Sequence, residues 1–238
     1  MRFYAMAALA AALSGCSVAP TRPDAVRLGD EDTVKAYLSK LINHEMRQGD
    51  VPGLSIALVD DQRVVWSQGF GYADQERRTP ASAETIYRVG SISKLFTDMA
   101  ALQLAEQGRL NVDLPVQTYL PNFSIKQRNG TATAITPRML MTHHAGLPRD
   151  ILKGFMTTAP EPFSHVVDQL RDEYADYPPG QTFSYSNLGI TVLGSVVEQL
   201  SGEPFAARMQ REVLLPMGMT HSAFETGVSS SALMAKGY

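Results

Sequence analysis

Residues 93–107 read SKLFTDMAALQLAEQ, and Gly108 follows. Leu, Ala, Met and Gln dominate this stretch and favour helix, and Gly108 stands where a left-handed residue ends one. The helix is apolar nearly all round, so other elements have to enclose it. A chain that contains it must build a core thick enough to surround a helix. With 238 residues and 44% hydrophobic content, one substantial core or two sub-domains are within reach. Lys94 fits this helix poorly. It falls in the first turn, where unpaired N–H groups carry partial positive charge and repel a cation.

The flanking sequence supplies elements to do the enclosing. Val34, Tyr37, Leu38, Leu41, Ile42 and Met46 recur at spacings of three and four, with Asp30 or Asp32 to cap and Gly49 to close, which predicts an amphipathic helix. GLSIALVDDQRVVWSQGFGYAD then sets β-branched and aromatic residues on both sides of Asp60-Asp61-Gln62, a β-hairpin pattern. TIYRVG reads as a further short strand. GRLNVDLPVQTYLP is loop-like, and in ITPRMLMTHHAGLP Thr136 can cap a helix with Pro137 in its first turn. A section punctuated by Pro and Gly, about residues 145–180, ends in YPPGQTFSYSN. Behind it Leu188, Val192, Leu193, Val196, Val197 and Leu200 mark another helix, closed by Gly202. A helix and strands come first, then a mainly helical region, with no internal repeat and no low-complexity segment.

Met1-Arg2 is a short positive start, Phe3 to Leu13 is apolar, and no further charge appears until Arg22. The run is too short for a membrane-spanning helix and has the form of a signal peptide, so the protein is expected to be exported. Cys16, the only cysteine, follows Leu13-Ser14-Gly15, which resembles a bacterial lipobox; an ordinary cleaved signal peptide with an incidental cysteine is the alternative. The expected organisation is residues 1–16 as signal peptide and lipobox, 17–32 as a polar, Pro-containing tether, and 33–238 as the folded domain. By analogy, Ser17 after Cys16 favours anchoring in the outer membrane, facing the periplasm. A net charge of -3 and no basic run longer than Arg77-Arg78 argue against nucleic acid as a partner.

Ser91 and Lys94 are three residues apart, so on a helix their side chains share a face. A serine hydroxyl is a weak nucleophile until a neighbouring base takes its proton. A lysine buried against the positive end of a helix has its pKa pushed toward neutrality and can be that base. The first-turn N–H of Ser91 points to where an oxyanion would form. Taken alone, S-x-x-K is equally a capping serine followed by a solvated lysine. Tyr185-Ser186-Asn187, the only Y-x-N in the chain, stands before the later helix. Its phenol can share a proton with serine and lysine, and its amide can donate and accept toward a substrate amide. An aromatic core residue followed by a capping Asn is the plainer reading of that motif.

Together, Ser91-Ile92-Ser93-Lys94 and Tyr185-Ser186-Asn187 resemble the first two motifs of the serine β-lactamase and penicillin-binding-protein superfamily, in its class C-like branch. GRLNVDLPVQTYLP, LMTHHAGLP, PPGQTFSYSNLGITVLGSVVEQLSG and LLPMGMTHSAF resemble the same branch, so the likeness runs from about residue 33 to the end. It implies an α+β fold with an antiparallel sheet flanked by helices and a mainly helical sub-domain. It also implies a serine hydrolase acting through an acyl-enzyme on a β-lactam, a D-amino acid peptide or an ester. Ser91 would be the nucleophile, Lys94 and Tyr185 would share the proton traffic, and Asn187 would bind the substrate's amide or orient Lys94. No cofactor is called for: no G-x-G-x-x-G or P-loop occurs. His143-His144 lack the H-E-x-x-H context of a zinc site and read as a structural pair at a helix end.

The resemblance is incomplete. No K-T-G or H-T-G follows Asn187, and Glu225-Thr226-Gly227 has the shape of that third motif but a charge that would repel a substrate carboxylate. The family's late strands are likewise not apparent, so the chain is expected to be an N-terminal portion of a longer hydrolase. The alternative is a non-catalytic lipoprotein that keeps the fold to bind cell-wall fragments or a partner.

Overall fold

The computed structural model describes residues 18–128, 133–151, 163–224 and 232–238. The expected leader with Cys16, and Glu225-Thr226-Gly227, lie outside the described residues. The chain divides into two compact units, Met1–Tyr87 with Ala232–Tyr238, and Arg88–Ser231. Among the described residues no helix is long and apolar enough to cross a membrane.

In the first unit, α1 spans Glu31–Gln48. Asp30 is its cap, its carboxylate accepting from the Thr33 N–H at 3.2 Å, and Glu31 and Asp32 set negative charge at the positive helix end. Gly49 closes it, donating to the Glu45 carbonyl. β1 (Gly53–Asp60) and β2 (Arg63–Asp74) pair antiparallel from Gly53↔Gly71 to Asp60↔Arg63, with a bulge between Leu58 and Val59. Asp61 and Gln62 both take left-handed conformations, φ 44 and 64, so the connection is the two-residue turn whose twist suits a hairpin. β3 (Thr79–Pro80) adds to β2, giving the order β1-β2-β3. The expected TIYRVG strand shrinks to one parallel bridge, Ile86 to Met234. The Ile86 N–H donates to Leu233 O and its carbonyl accepts from Ala235 N, and two bonds to one short segment do not make a ladder.

The second unit is helical. A 3₁₀ turn over Gly90–Ile92 runs into α2 (Ser93–Glu106). There follow α3 (Pro137–Met141), α4 (Phe163–Gln169), α5 (Asn187–Ser201), α6 (Phe205–Arg208) and a π turn over Met209–Leu214. α5 is the core element and packs against α2, α3, α4 and α6. Its Val192, Leu193, Val196 and Val197 are fully buried, each such burial being worth about 1.5–3 kcal/mol. Thr136 caps α3 as expected, accepting from Met139 N at 3.3 Å, and Gly202 ends α5 at φ 75. The link after α2 is more ordered than a loop. Tyr119 OH donates to Asn111 O at 2.9 Å and accepts from Asn111 N at 2.8 Å.

The enclosure expected of α2 holds on one side only. Ala100, Ala101 and Leu104 are fully buried, whereas Ile92, Leu95 and Leu102 remain 61%, 60% and 48% exposed. The described neighbours of α2 within its unit, α5 and the π turn, cover one face and leave that second stripe open. Gly146, in the loop after α3, has φ 67, and a Cβ there would lie 2.0 Å from the Tyr177 carbonyl oxygen. Only glycine fits this crossing of two loops.

Candidate active site

The second unit brings Ser91, Lys94 and Tyr185 together. Ser91 sits in the 3₁₀ turn and is exposed, its N–H in the first turn where backbone donors lack intrahelical acceptors. Lys94 Nζ donates to Ser91 Oγ at 3.1 Å, as the spacing of three predicts. Tyr185, which lies 94 residues away in sequence, donates from its hydroxyl to the same oxygen at 2.7 Å. The ammonium also stands 4.9 Å from the Tyr185 ring centroid.

Ser186 fixes the end of α5 that carries this phenol. Its hydroxyl accepts from Gly189 N at 2.9 Å and donates to Pro148 O at 2.6 Å, and the side chain is buried. α2 has no such support: no side-chain cap and no acidic residue in its first turn.

The electrostatics differ from the sequence expectation. Lys94 is half-buried rather than buried. The phenol is the group whose proton is loosened. Tyr185 is held below the usual tyrosine range, first by hydrogen bonding to Lys94 and then to Ser91, with the charges of Lys94 and Arg149 adding. The Arg149 guanidinium lies 5.6 Å from the Tyr185 ring centroid.

Asn187 opens α5, and its amide nitrogen donates to Asp150 Oδ1 at 2.7 Å. Its backbone N–H donates to Arg149 O at 2.9 Å. A carboxylate can only accept, so one N–H of the Asn187 amide is committed to Asp150, and the orientation leaves the amide oxygen for a donor. The described hydrogen bond of the Asn187 side chain thus goes to Asp150 rather than Lys94. Arg149 and Asp150 follow LMTHHAGLP directly, yet sequence reasoning missed both; their adjacency to that motif was the available signal.

The two histidines divide their roles. His144 serves the end of α3, its Nδ1 donating to Thr142 O at 2.7 Å. His143 instead turns to Tyr185, with ring centroids 4.6 Å apart. Its Nδ1 accepts from Ser186 N at 3.3 Å and its carbonyl accepts from Ser184 N at 2.8 Å. Burial, then the positive charge of Lys94 and of His144, holds the His143 imidazole below its ordinary pKa. Among the described residues, no group of three His, Cys, Asp or Glu side chains is placed to hold a metal ion.

An S-x-x-K serine at a helix start, met by a Y-x-N phenol from a second helix start, is an arrangement of the serine-hydrolase kind on an α+β frame. The chain belongs to the beta-lactamase family: the family model described as Beta-lactamase matches residues 38–238. It is 31% identical over 202 residues to Protein flp of Staphylococcus aureus strain N315, covering 84% of this chain and 40% of that protein. The chain therefore spans less than half the length of that relative. Among solved structures it is similar to an octameric penicillin-binding protein homologue from Pyrococcus abyssi, with 31% identity and a TM-score of 0.74, over 86% of this chain and 48% of that one. It is also similar to EstCE1, a hydrolase with promiscuous acyltransferase activity, with 28% identity and a TM-score of 0.78, over 89% and 58% of the two chains.

Proposed function

We propose that this protein is a serine hydrolase that works through an acyl-enzyme on a β-lactam, a D-amino acid peptide or an ester. The observation that carries this reading is the convergence of Lys94 Nζ and Tyr185 OH on Ser91 Oγ, at 3.1 and 2.7 Å. The deprotonated phenol, favoured by the neighbouring ammonium, takes the Ser91 proton as Oγ attacks the substrate carbonyl carbon. The Ser91 N–H donates to the oxyanion that forms. When the tetrahedral intermediate collapses, the leaving amine or alcohol takes the proton back through Tyr185 and Lys94. Water then repeats the sequence on the acyl-enzyme, leaving a carboxylic acid and free Ser91. Asn187 presents its amide oxygen to an N–H of the bound substrate.

The hydrolase EstCE1 among the structural relatives supports acyl transfer in general and does not choose among the three substrates. The leader reading extends the proposal: an exported lipoprotein held through Cys16 on the periplasmic face of a bacterial membrane, the outer one by analogy. A second reading is a binding protein that keeps the fold without turnover.

A fluorophosphonate and a fluorescent penicillin, each followed by intact-mass measurement, separate the two readings. A single adduct on the wild-type chain that is lost in Ser91→Ala is the expected result. No adduct with either probe, on a full-length protein whose folding is verified by circular dichroism, would sink the hydrolase reading.

A further inference from the structure

His143 makes three contacts with the three residues centred on Tyr185. Its backbone carbonyl accepts from the N–H of Ser184 and its ring Nδ1 accepts from the N–H of Ser186, so both neighbours of the tyrosine are tied to one residue. Its ring lies against the Tyr185 ring, the planes 39° apart, while Phe183 meets the same imidazole edge-on at 6.0 Å. Tyr185 is thereby held by ring contact as well as through both of its neighbours. His143 itself holds a left-handed backbone, φ 57, a conformation that His and Asn enter more readily than most residues.

A backbone N–H can only donate, so the bond to Ser186 requires a bare Nδ1 and places the proton of the neutral ring on Nε2. We propose that His143 is a positioning residue for the Tyr185 phenol, acting through its unprotonated Nδ1, and that protonating it disables the site. This inference rests on the hydrolase reading for its kinetic consequences but not for its structural ones. A proton on Nδ1 would set donor against donor at Ser186. It would also add a cation near Lys94 from α2, His144 from its own loop and Arg149, which stands 5.6 Å from the Tyr185 ring centroid. The depressed imidazole pKa agrees with this arrangement. The sign follows: the working, neutral form dominates above that pKa and is lost as pH falls through it, below the ordinary histidine range.

Three variants test the proposal. His143→Asn keeps an acceptor near the Nδ1 position and tolerates the left-handed backbone, but cannot titrate. It is expected to acylate within about threefold of wild type, with the inflection below the ordinary histidine range gone from the rate profile and the limb set by Tyr185 kept. His143→Ala loses acceptor and ring and is expected to acylate about 10- to 100-fold more slowly, because small misplacements of a reacting group are costly. His143→Phe keeps a ring without the acceptor and should fall between them. Nitrogen NMR of the wild-type imidazole, which needs no turnover, should show the Nε2–H tautomer at pH 8. Titration of the Tyr185 ring carbon should move toward the ordinary tyrosine range in His143→Ala and stay in place in His143→Asn.

An inflection below the ordinary histidine range that persists in His143→Asn, a proton found on Nδ1, or the same Tyr185 titration in all variants would overturn the proposal. A wild-type chain that takes up no probe would instead sink the hydrolase reading, and the two NMR measurements would then decide His143 by themselves.

Discussion

Two helices of the second unit begin at the site, and they begin differently. α5 starts behind a buried serine whose hydroxyl makes two hydrogen bonds. α2 starts with no side-chain cap, and its first-turn charge is the lysine that helix electrostatics disfavour. The comparison teaches a division of labour. The helix that positions the phenol is built for rigidity, and the helix that carries the nucleophile gives up local stability to keep a cation and free N–H groups beside Ser91.

The sharpest way to break this contrast is Lys94→Met. Removing the ammonium should slow acylation by at least about 100-fold, as expected for loss of a proton-transfer partner. It should also stabilise α2 by about 0.3–1 kcal/mol, read as a raised midpoint in urea. Tyr185 loses the first cause of its depressed pKa, so any residual acylation should rise at higher pH than in wild type. A variant both slower and less stable would refute the trade between stability and reactivity.

Ser186→Ala tests the other helix. Loss of a capping hydroxyl costs about 0.5–2 kcal/mol, and the upper half is expected here because the group is buried and also bonds Pro148. Hydrogen exchange should quicken at Gly189 first. Equal destabilisation of both helices by this change would blur the contrast.

The smallest effect concerns Asp98, one turn beyond Lys94 on α2. Burial raises its pKa to about 6, and Oδ1 is buried without a hydrogen-bond partner. The folded state holds that proton more tightly than the unfolded chain, so stability declines as pH rises from about 3.8 to about 6. Asp98→Asn should remove that decline and add about 1 kcal/mol at pH 7, the full shift being discounted because the carboxyl is only half-buried. Urea midpoints at pH 4 and pH 7 measure it.

Much of this was legible in the sequence because it is local. The Asp30 cap, the two-residue hairpin turn and the α5 core face follow from residues a few positions apart. Ser91 and Lys94 were legible for the same reason, since a spacing of three guarantees a meeting on a helix. What escaped depends on long closures. Asp150 reaches Asn187 across 37 residues and His143 reaches Ser186 across 43, and neither pairing has a period or spacing to announce it. The stripe of Ile92, Leu95 and Leu102 escaped for another reason. Composition shows that a helix is apolar all round, but the number of its faces that become covered depends on which neighbours arrive.

Gly146 bears on how such a site can diversify. No side chain fits between it and the Tyr177 carbonyl, so the loop that delivers His143, Arg149 and Asp150 is locked at one point along its length. Exchanges at Arg149 and Asp150 leave this lock in place, whereas any side chain at position 146 breaks it. In a saturation library, position 146 should read as lethal as the nucleophile itself, and a scan taken at face value would mistake a packing constraint for a chemical one.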